Sequence, residues 1–138
     1  MTRFVLDASV TLSWLIDHST APYATRIRQL LSSGSYAVVP ALWQWEIANG
    51  FVIAERRGIL APVDTAHILQ TFEAMLSSIE IRQDLIPIHR IIKTAVGYQL
   101  TVYDAAYLEL AKEERLPIAT LDHALAKAAA KAAVPLIQ

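Results

Sequence analysis

The chain has 138 residues, close to the commonest size of a single domain. With 54% hydrophobic and 18% charged residues it is too apolar to be disordered, and without cysteine it can form neither disulfides nor thiolate metal sites. The net charge of −1 excludes nucleic-acid binding driven by overall charge alone. We therefore expect one domain over residues 1–138, and the apolar excess predicts a homo-oligomer or a permanent partner.

Short apolar runs alternate with amphipathic segments along the chain. In chain order the pattern predicts strands at 3–6, 36–40, 79–83, 117–121 and 134–137, and helices at 8–16, 18–34, 42–58, 62–78, 89–99, 102–116 and 122–131. Such alternation favours an α/β fold, namely a three-layer α/β/α sandwich with a central, mostly parallel sheet. Ligands of these sheets bind at the carboxyl ends of the strands.

No run reaches the roughly 18 uncharged apolar residues that a membrane span needs. The apolar run at the N-terminus is interrupted by Asp7, which does not fit a signal peptide. We therefore expect a soluble, cytoplasmic protein without a membrane segment.

Four acidic residues are expected near one edge of the sheet. Asp7 ends the first strand, Asp122 follows the strand at 117–121, and Asp104 opens a helix. Glu46 lies inside the helix that follows the second strand. Because the carboxyl ends of parallel strands share one edge, these acids are expected to face a common crevice.

Helix capping is the alternative interpretation of the aspartates, because Asp7, Asp104 and Asp122 each stand at or near the start of a predicted helix and aspartate is a favoured N-cap. None of them has Glu or Gln three residues later, so no capping box supports that interpretation. Glu46 is surrounded by continuous helical pattern and cannot be a cap. The set as a whole therefore favours a functional site.

Clustered carboxylates raise one another's pKa unless a cation compensates their charge. Mg²⁺ and Mn²⁺ prefer oxygen ligands, polarise phosphoryl oxygens and lower the pKa of bound water. The four acids together therefore indicate a metal-dependent nuclease.

Four sequence blocks carry a family resemblance: FVLDASVTLSW, VPALWQWEIANGF, LTVYDAAYLELA and LPIATLDHALAKAA. In order, spacing and total length they resemble PIN-domain ribonucleases, and they are most similar to VapC-type toxins of bacterial toxin–antitoxin modules. The resemblance implies that the acidic set around Mg²⁺ or Mn²⁺ consists of Asp7, Glu46, Asp104 and Asp122. It further implies supporting roles for Ser9, Asn49 and Thr120.

The resemblance also implies an endoribonuclease that cleaves RNA phosphodiester bonds with metal-activated water. Its expected partners are the RNA substrate, a cognate VapB-like antitoxin and a second copy of the chain in a homodimer. The alternative is a non-catalytic PIN-like module that binds RNA or protein and whose acids are only helix caps. How many ions are bound, which acids contact them and which RNA is cut stay open.

Overall fold

The structure is a computed structural model that describes residues 2–138. Four strands in this range form one sheet: β1 (Arg3–Leu6), β2 (Tyr36–Pro40), β3 (Ile79–Arg82) and β4 (Ile118–Ala119). Their order is β3-β2-β1-β4, and each neighbouring pair is parallel. Val5 of β1 is paired with Val38 on one side and Ile118 on the other, so β1 lies in the middle of the hydrogen-bonded core.

The same residues form seven α-helices: α1 (Ala8–Leu15), α2 (Pro22–Ser32), α3 (Leu42–Arg56), α4 (Pro62–Met75), α5 (Ile88–Tyr98), α6 (Val102–Glu114) and α7 (His123–Lys131). Phe4, Val5 and Leu6 are consecutive in β1 and all have no exposed surface. Because successive strand residues point to opposite faces, this burial means that helices cover both faces of the sheet. The predicted α/β/α sandwich is confirmed. Over residues 2–138, no helix combines the length and apolarity required to cross a membrane.

The predicted C-terminal strand is wrong as a strand, because it contributes only a single parallel bridge between Leu136 and Ile118. The Ile118 N–H donates to the Pro135 carbonyl at 2.9 Å, and the Ile137 N–H donates to the Ile118 carbonyl at 2.9 Å. Pro135 has no N–H of its own, and the Val134 N–H is already bonded to the last turns of α7. The segment therefore lacks the donors needed to continue the ladder.

A close contact between α1 and α3 helps to place the acid-bearing helix. A Cβ built on Gly50 would lie 2.5 Å from Leu12 Cδ2, so a side chain at this position would require the Leu12 side chain to move. Gly50 lies one turn beyond Glu46 on α3, and α1 begins directly after Asp7. The glycine therefore leaves room for the Leu12 side chain between α1 and α3, the two helices that begin near Asp7 and carry Glu46, respectively.

Candidate functional site

The candidate site lies where the chain changes direction within the sheet. From the central strand β1, the chain builds β2 and β3 on one side and later returns to add β4 on the other. Between β1 and β4 the strand order reverses, and parallel sheets bind ligands at the carboxyl ends of such a pair. Asp7 directly follows β1, and its N–H donates to the Ala119 carbonyl of β4 at 3.0 Å.

The Asp7 carboxylate is held by two hydroxyl groups. Ser9 Oγ and Thr120 Oγ1 each donate to Asp7 Oδ2 at 2.7 Å. Each hydroxyl also accepts a backbone hydrogen bond, Ser9 from the Leu121 N–H and Thr120 from the Asp122 N–H, both at 3.0 Å. Because both hydroxyl protons are directed at Asp7 while their oxygens are bonded to the backbone after β4, the carboxylate has a fixed orientation.

Burial dominates the electrostatics of Asp7, of which 4% is exposed. Desolvation raises the pKa of its carboxyl, the charge of Asp122 adds to the rise, and the hydrogen bonds from Ser9 and Thr120 oppose it. A carboxylate left this dry at a strand end is costly to keep ionised without a cation.

Glu46 is placed by α3 and held by a buried tyrosine of α6. Tyr107 Oη donates to Glu46 Oε1 at 2.6 Å, and Tyr107 itself has no exposed surface. Burial raises the pKa of Tyr107 above its usual range, so its hydroxyl stays a proton donor. Burial raises the pKa of the half-buried Glu46 carboxyl, the Tyr107 hydrogen bond lowers it, and the charges of Asp7 and Asp104 raise it.

Asp104 lies in the first turn of α6, two residues after the helix begins. The N-cap is Thr101, whose hydroxyl accepts from the Asp104 N–H at 3.1 Å, so the cap interpretation of Asp104 is wrong. Its carboxyl therefore does not cap the helix, although a hydrogen bond with the Thr101 side chain lowers its pKa. Burial, followed by the charges of Asp122 and Asp7, raises the pKa of Asp104 to about 6.

Asp122 is a genuine helix cap, although the sequence around it has no capping box. It is the N-cap of α7, and its Oδ1 accepts from the Leu125 N–H at 3.0 Å. Asp7 also stands at the N-cap position of a helix, α1, but its side chain makes no capping bond there. Capping therefore accounts for one of the three aspartates, and it uses one oxygen of that carboxylate.

The four carboxylates form a cluster without a cationic partner. In three of these carboxyls the charge of at least one other member raises the pKa, so the four lie near one another. Every ion pair within residues 2–138 involves other acids. In that same range, however, no group of three or more His, Asp or Glu lies close enough together to hold a metal ion by itself.

The supporting residues inferred from the sequence have different placements. Ser9 and Thr120 belong to the hydrogen-bond network of Asp7. Asn49 is exposed on α3, one turn beyond Glu46, and is not part of that network as far as residues 2–138 show. The metal-ligand roles of the acids and the role of Asn49 stay predictions.

Sequence reasoning missed the two residues that hold the α6 side of the site, Tyr107 and Thr101. Tyr107 lies three residues after Asp104 and so shares its side of the helix, which was the available signal. In the sequence it is indistinguishable from the apolar core residues around it. Only the fold shows that its hydroxyl reaches Glu46, 61 positions away.

The family model described as "PIN domain" matches residues 4–131. The crystal structure of PAE2754 from Pyrobaculum aerophilum is similar, with a TM-score of 0.67 and 22% sequence identity, over 92% of this chain and 84% of that one. No curated protein sequence matches. At 22% identity the structural similarity concerns the fold alone. The family model spans nearly the whole chain, and we therefore conclude that this chain belongs to the PIN domain family.

Proposed function

We propose that this protein is a divalent-metal-dependent endoribonuclease and the toxin of a toxin–antitoxin pair, acting in the cytoplasm. PIN domains are generally nucleases, so a nuclease-type fold is established by family membership. The observation that carries the proposal is the mutual repulsion of four carboxylates near the ends of β1 and β4, which have no cationic partner within residues 2–138. RNA as substrate and the toxin role rest on the four sequence blocks that resemble VapC-type proteins.

The donor set fits Mg²⁺ or Mn²⁺. It consists of carboxylate oxygens only, which suits hard cations, and the buried, mutually repelling charges would be relieved by one. Mg²⁺ keeps several waters and takes only one or two protein carboxylates directly, so a looser arrangement than a three-ligand cage is compatible with it. The residues that would hold the ion, directly or through water, are Asp7, Glu46, Asp104 and Asp122. When bound, the ion supplies Lewis-acid polarisation of the phosphate and a water of lowered pKa.

Hydrogen bonds within the protein hold two of these carboxylates in position. Ser9 and Thr120 orient Asp7, and Tyr107 orients Glu46, so two carboxylates are aimed before any ligand arrives. Such preorganisation avoids the cost of collecting like charges during the reaction. None of these residues needs to act as a general acid or base.

Cleavage of single-stranded RNA in the presence of Mn²⁺ tests the proposal. Asp104→Asn should reduce cleavage by at least a hundredfold, because it removes a carboxylate from the cluster. The matched control is Asp17→Asn, which changes an exposed aspartate beyond the end of α1. A purified Asp104→Asn protein that cuts RNA as fast as the wild type would contradict the metal-site assignment.

A non-catalytic binding module is the second candidate function, favoured by the observation that Asp122 caps α7. The two candidates differ in their response to metal. A nuclease site predicts that Mn²⁺ raises the melting temperature and that Asp7→Asn abolishes this rise. A binding module predicts no metal-dependent change in either protein.

A homodimer is proposed from an exposed apolar face of α5. Ile88, Ile92 and Val96 are spaced four residues apart and are 75%, 51% and 75% exposed. Three large apolar side chains on one helical face are better explained by a second copy than by contact with water. Ile92→Glu should convert the dimer to a monomer in light scattering. Lys127→Glu on α7, which is equally a change of charge at an exposed site, should leave the dimer intact.

An apolar segment of the antitoxin is proposed to occupy the groove between α3 and α4. The groove has a volume of about 510 Å³ and includes Phe51, Val52, Leu69 and Phe72 in its lining. No residue of α4 is fully buried, so this helix has apolar surface left to cover. Expression should arrest growth, Asp104→Asn should abolish the arrest, and the product of the neighbouring gene should rescue it. Val52→Glu should still arrest growth but resist rescue.

A further inference from the structure

A second cavity, of about 580 Å³, lies between α5 and α6 outside the acid cluster. Three cationic side chains line it, Arg90, Lys93 and Lys112, and the single acidic group in its lining is Glu109. The three positive charges and the one negative charge leave the cavity with a formal charge of +2, whereas the whole chain carries −1. The cavity is therefore a cationic cleft on a chain that is slightly acidic overall.

Glu109 binds two of these cations from the buried side of the cleft. It is 2% exposed and accepts hydrogen bonds from Arg90 Nη2 at 2.8 Å, from Lys112 Nζ at 3.3 Å and from the Thr94 hydroxyl. The Arg90 and Lys112 side chains nevertheless remain 43% and 41% exposed. One buried carboxylate thus fixes two cationic groups in the wall of the cleft while their outer sides stay open to an incoming anion.

Lys93 supplies the charge that is not compensated. It is exposed on α5, and among residues 2–138 it forms no ion pair. The hydrogen bonds of Glu109 with Thr94 and with two cations already join α5 to α6. Lys93 is not needed for that role. A third cation beside the pair adds repulsion to the folded protein, and an anionic ligand would offset it.

The cleft and the acid cluster are connected by α6. Asp104 lies in the first turn of this helix and Lys112 lies eight residues later, roughly 12 Å along the axis. Because the clustered carboxylates repel a polyanion, a substrate with a phosphate backbone needs positive charge elsewhere to be held. The α5–α6 cleft offers three cations within reach of a chain that passes the acid cluster.

We infer that this cleft binds backbone phosphates of the single-stranded RNA substrate. The bound phosphates belong to nucleotides away from the bond that is cleaved. The inference rests on the proposed nuclease function for the identity of the substrate, but it concerns binding and makes no demand on the metal. Phosphate contacts of this kind position a nucleic acid without reading its bases. The cleft is therefore expected to hold RNA irrespective of sequence.

The test measures RNA binding separately from cleavage. Fluorescence anisotropy of a labelled single-stranded RNA is recorded with the full chain in EDTA over a series of KCl concentrations. Lys93→Ala is the main variant because the side chain forms no ion pair within residues 2–138, and Lys127→Ala, which removes an exposed lysine of α7, is the matched control. Removing one cation that binds a phosphate of a single strand lowers the slope of log K against log salt by about 0.7, which is about a fivefold weaker affinity at 0.1 M salt.

We expect the fivefold loss and the smaller salt slope in Lys93→Ala, a larger loss in Lys93→Glu, and wild-type behaviour in Lys127→Ala. Equal melting temperatures for all four proteins would show that the folds are intact. If Lys93→Ala binds RNA like the control while the wild type cleaves RNA with Mn²⁺, the cleft inference is overturned and the nuclease proposal stands. If RNA binds through Lys93 but is never cleaved, the cleft inference stands and the nuclease proposal fails. Lys93-dependent binding of an acidic peptide, without Lys93-dependent binding of RNA, would also overturn the inference.

Discussion

Replacing Asp104 by asparagine is expected to stabilise the metal-free protein at neutral pH. Burial and two neighbouring carboxylates raise the pKa of Asp104 from 3.8 to about 6. Each pKa unit corresponds to about 1.4 kcal/mol, so the full difference would be about 3 kcal/mol of unfolding free energy. Because this carboxyl is only half-buried, solvent screens part of the effect, and about 1–2 kcal/mol is expected.

The sign of the pH dependence follows from the direction of the shift. Between pH 3.8 and about 6 the folded protein holds a proton on Asp104 that the unfolded chain has released. The wild type therefore loses stability as the pH rises through this window, and the full cost is present above about pH 6. The amide of the Asp104→Asn protein has no such proton to lose, so the gain in stability should be present at pH 7.5 and vanish near pH 3.5.

Urea unfolding in EDTA at a series of pH values measures this effect, with Asp17→Asn as the control for a change of charge at an exposed site. Mn²⁺ should then raise the unfolding free energy of the wild type more than that of Asp104→Asn. An Asp104→Asn protein that is no more stable than the wild type at pH 7.5 in EDTA would contradict this prediction, because it would show that neither burial nor the neighbouring carboxylates destabilise the ionised Asp104.

Three further substitutions test the hydrogen bonds of the site and of the α5–α6 cleft. Tyr107→Phe removes the donor to Glu46 and should weaken Mn²⁺ binding by about 10- to 100-fold in calorimetry, whereas unchanged affinity would deny Tyr107 a positioning role. Thr120→Val removes a donor to buried Asp7 and should lower the unfolding free energy by about 1–3 kcal/mol at pH 7 in urea unfolding. An unchanged unfolding free energy would argue against the Thr120–Asp7 hydrogen bond. Glu109→Gln should cost a similar amount at pH 7, because three donors hold the Glu109 pKa below its ordinary 4.5 against the opposing effect of burial. The stability from ionised Glu109 is present above pH 4.5 and is lost as the pH falls below it. The unfolding free energies of the wild type and Glu109→Gln should therefore converge in acid, and a difference that stays constant with pH would contradict the lowered pKa of Glu109.

Much of the fold could be predicted from local pattern. The strands at 3–6 and 36–40 were predicted with the bounds that the structure has, because each is a largely apolar run bounded by polar or turn residues. The C-terminal strand was predicted wrongly, because hydrophobic pattern reports burial and not the supply of N–H donors. A buried segment with a proline can lie against the sheet edge without joining it.

The candidate site, like the fold, could be predicted only in part from local sequence pattern. That Asp7, Asp104 and Asp122 stand beside helix starts is a local property, and sequence pattern located all three. Which of them uses its side chain as a cap was not predictable from the pattern, since Asp122 caps its helix without a capping box and Asp104 leaves that role to Thr101. Capping depends on the backbone angles before the helix, and tertiary packing sets those angles.

Two features could be read from local sequence pattern: the all-oxygen donor set at the ends of strands, and the parallel α/β architecture that brings strand ends to one edge. The contacts between distant segments became visible only in the folded chain: Thr120 donates to Asp7, Tyr107 donates to Glu46, and Glu109 accepts from Arg90 in the cationic cleft. The physical reason is that periodicity along the chain reports which side chains are buried. The partner that a buried polar group finds depends on how helices and strands far apart in the sequence are packed together.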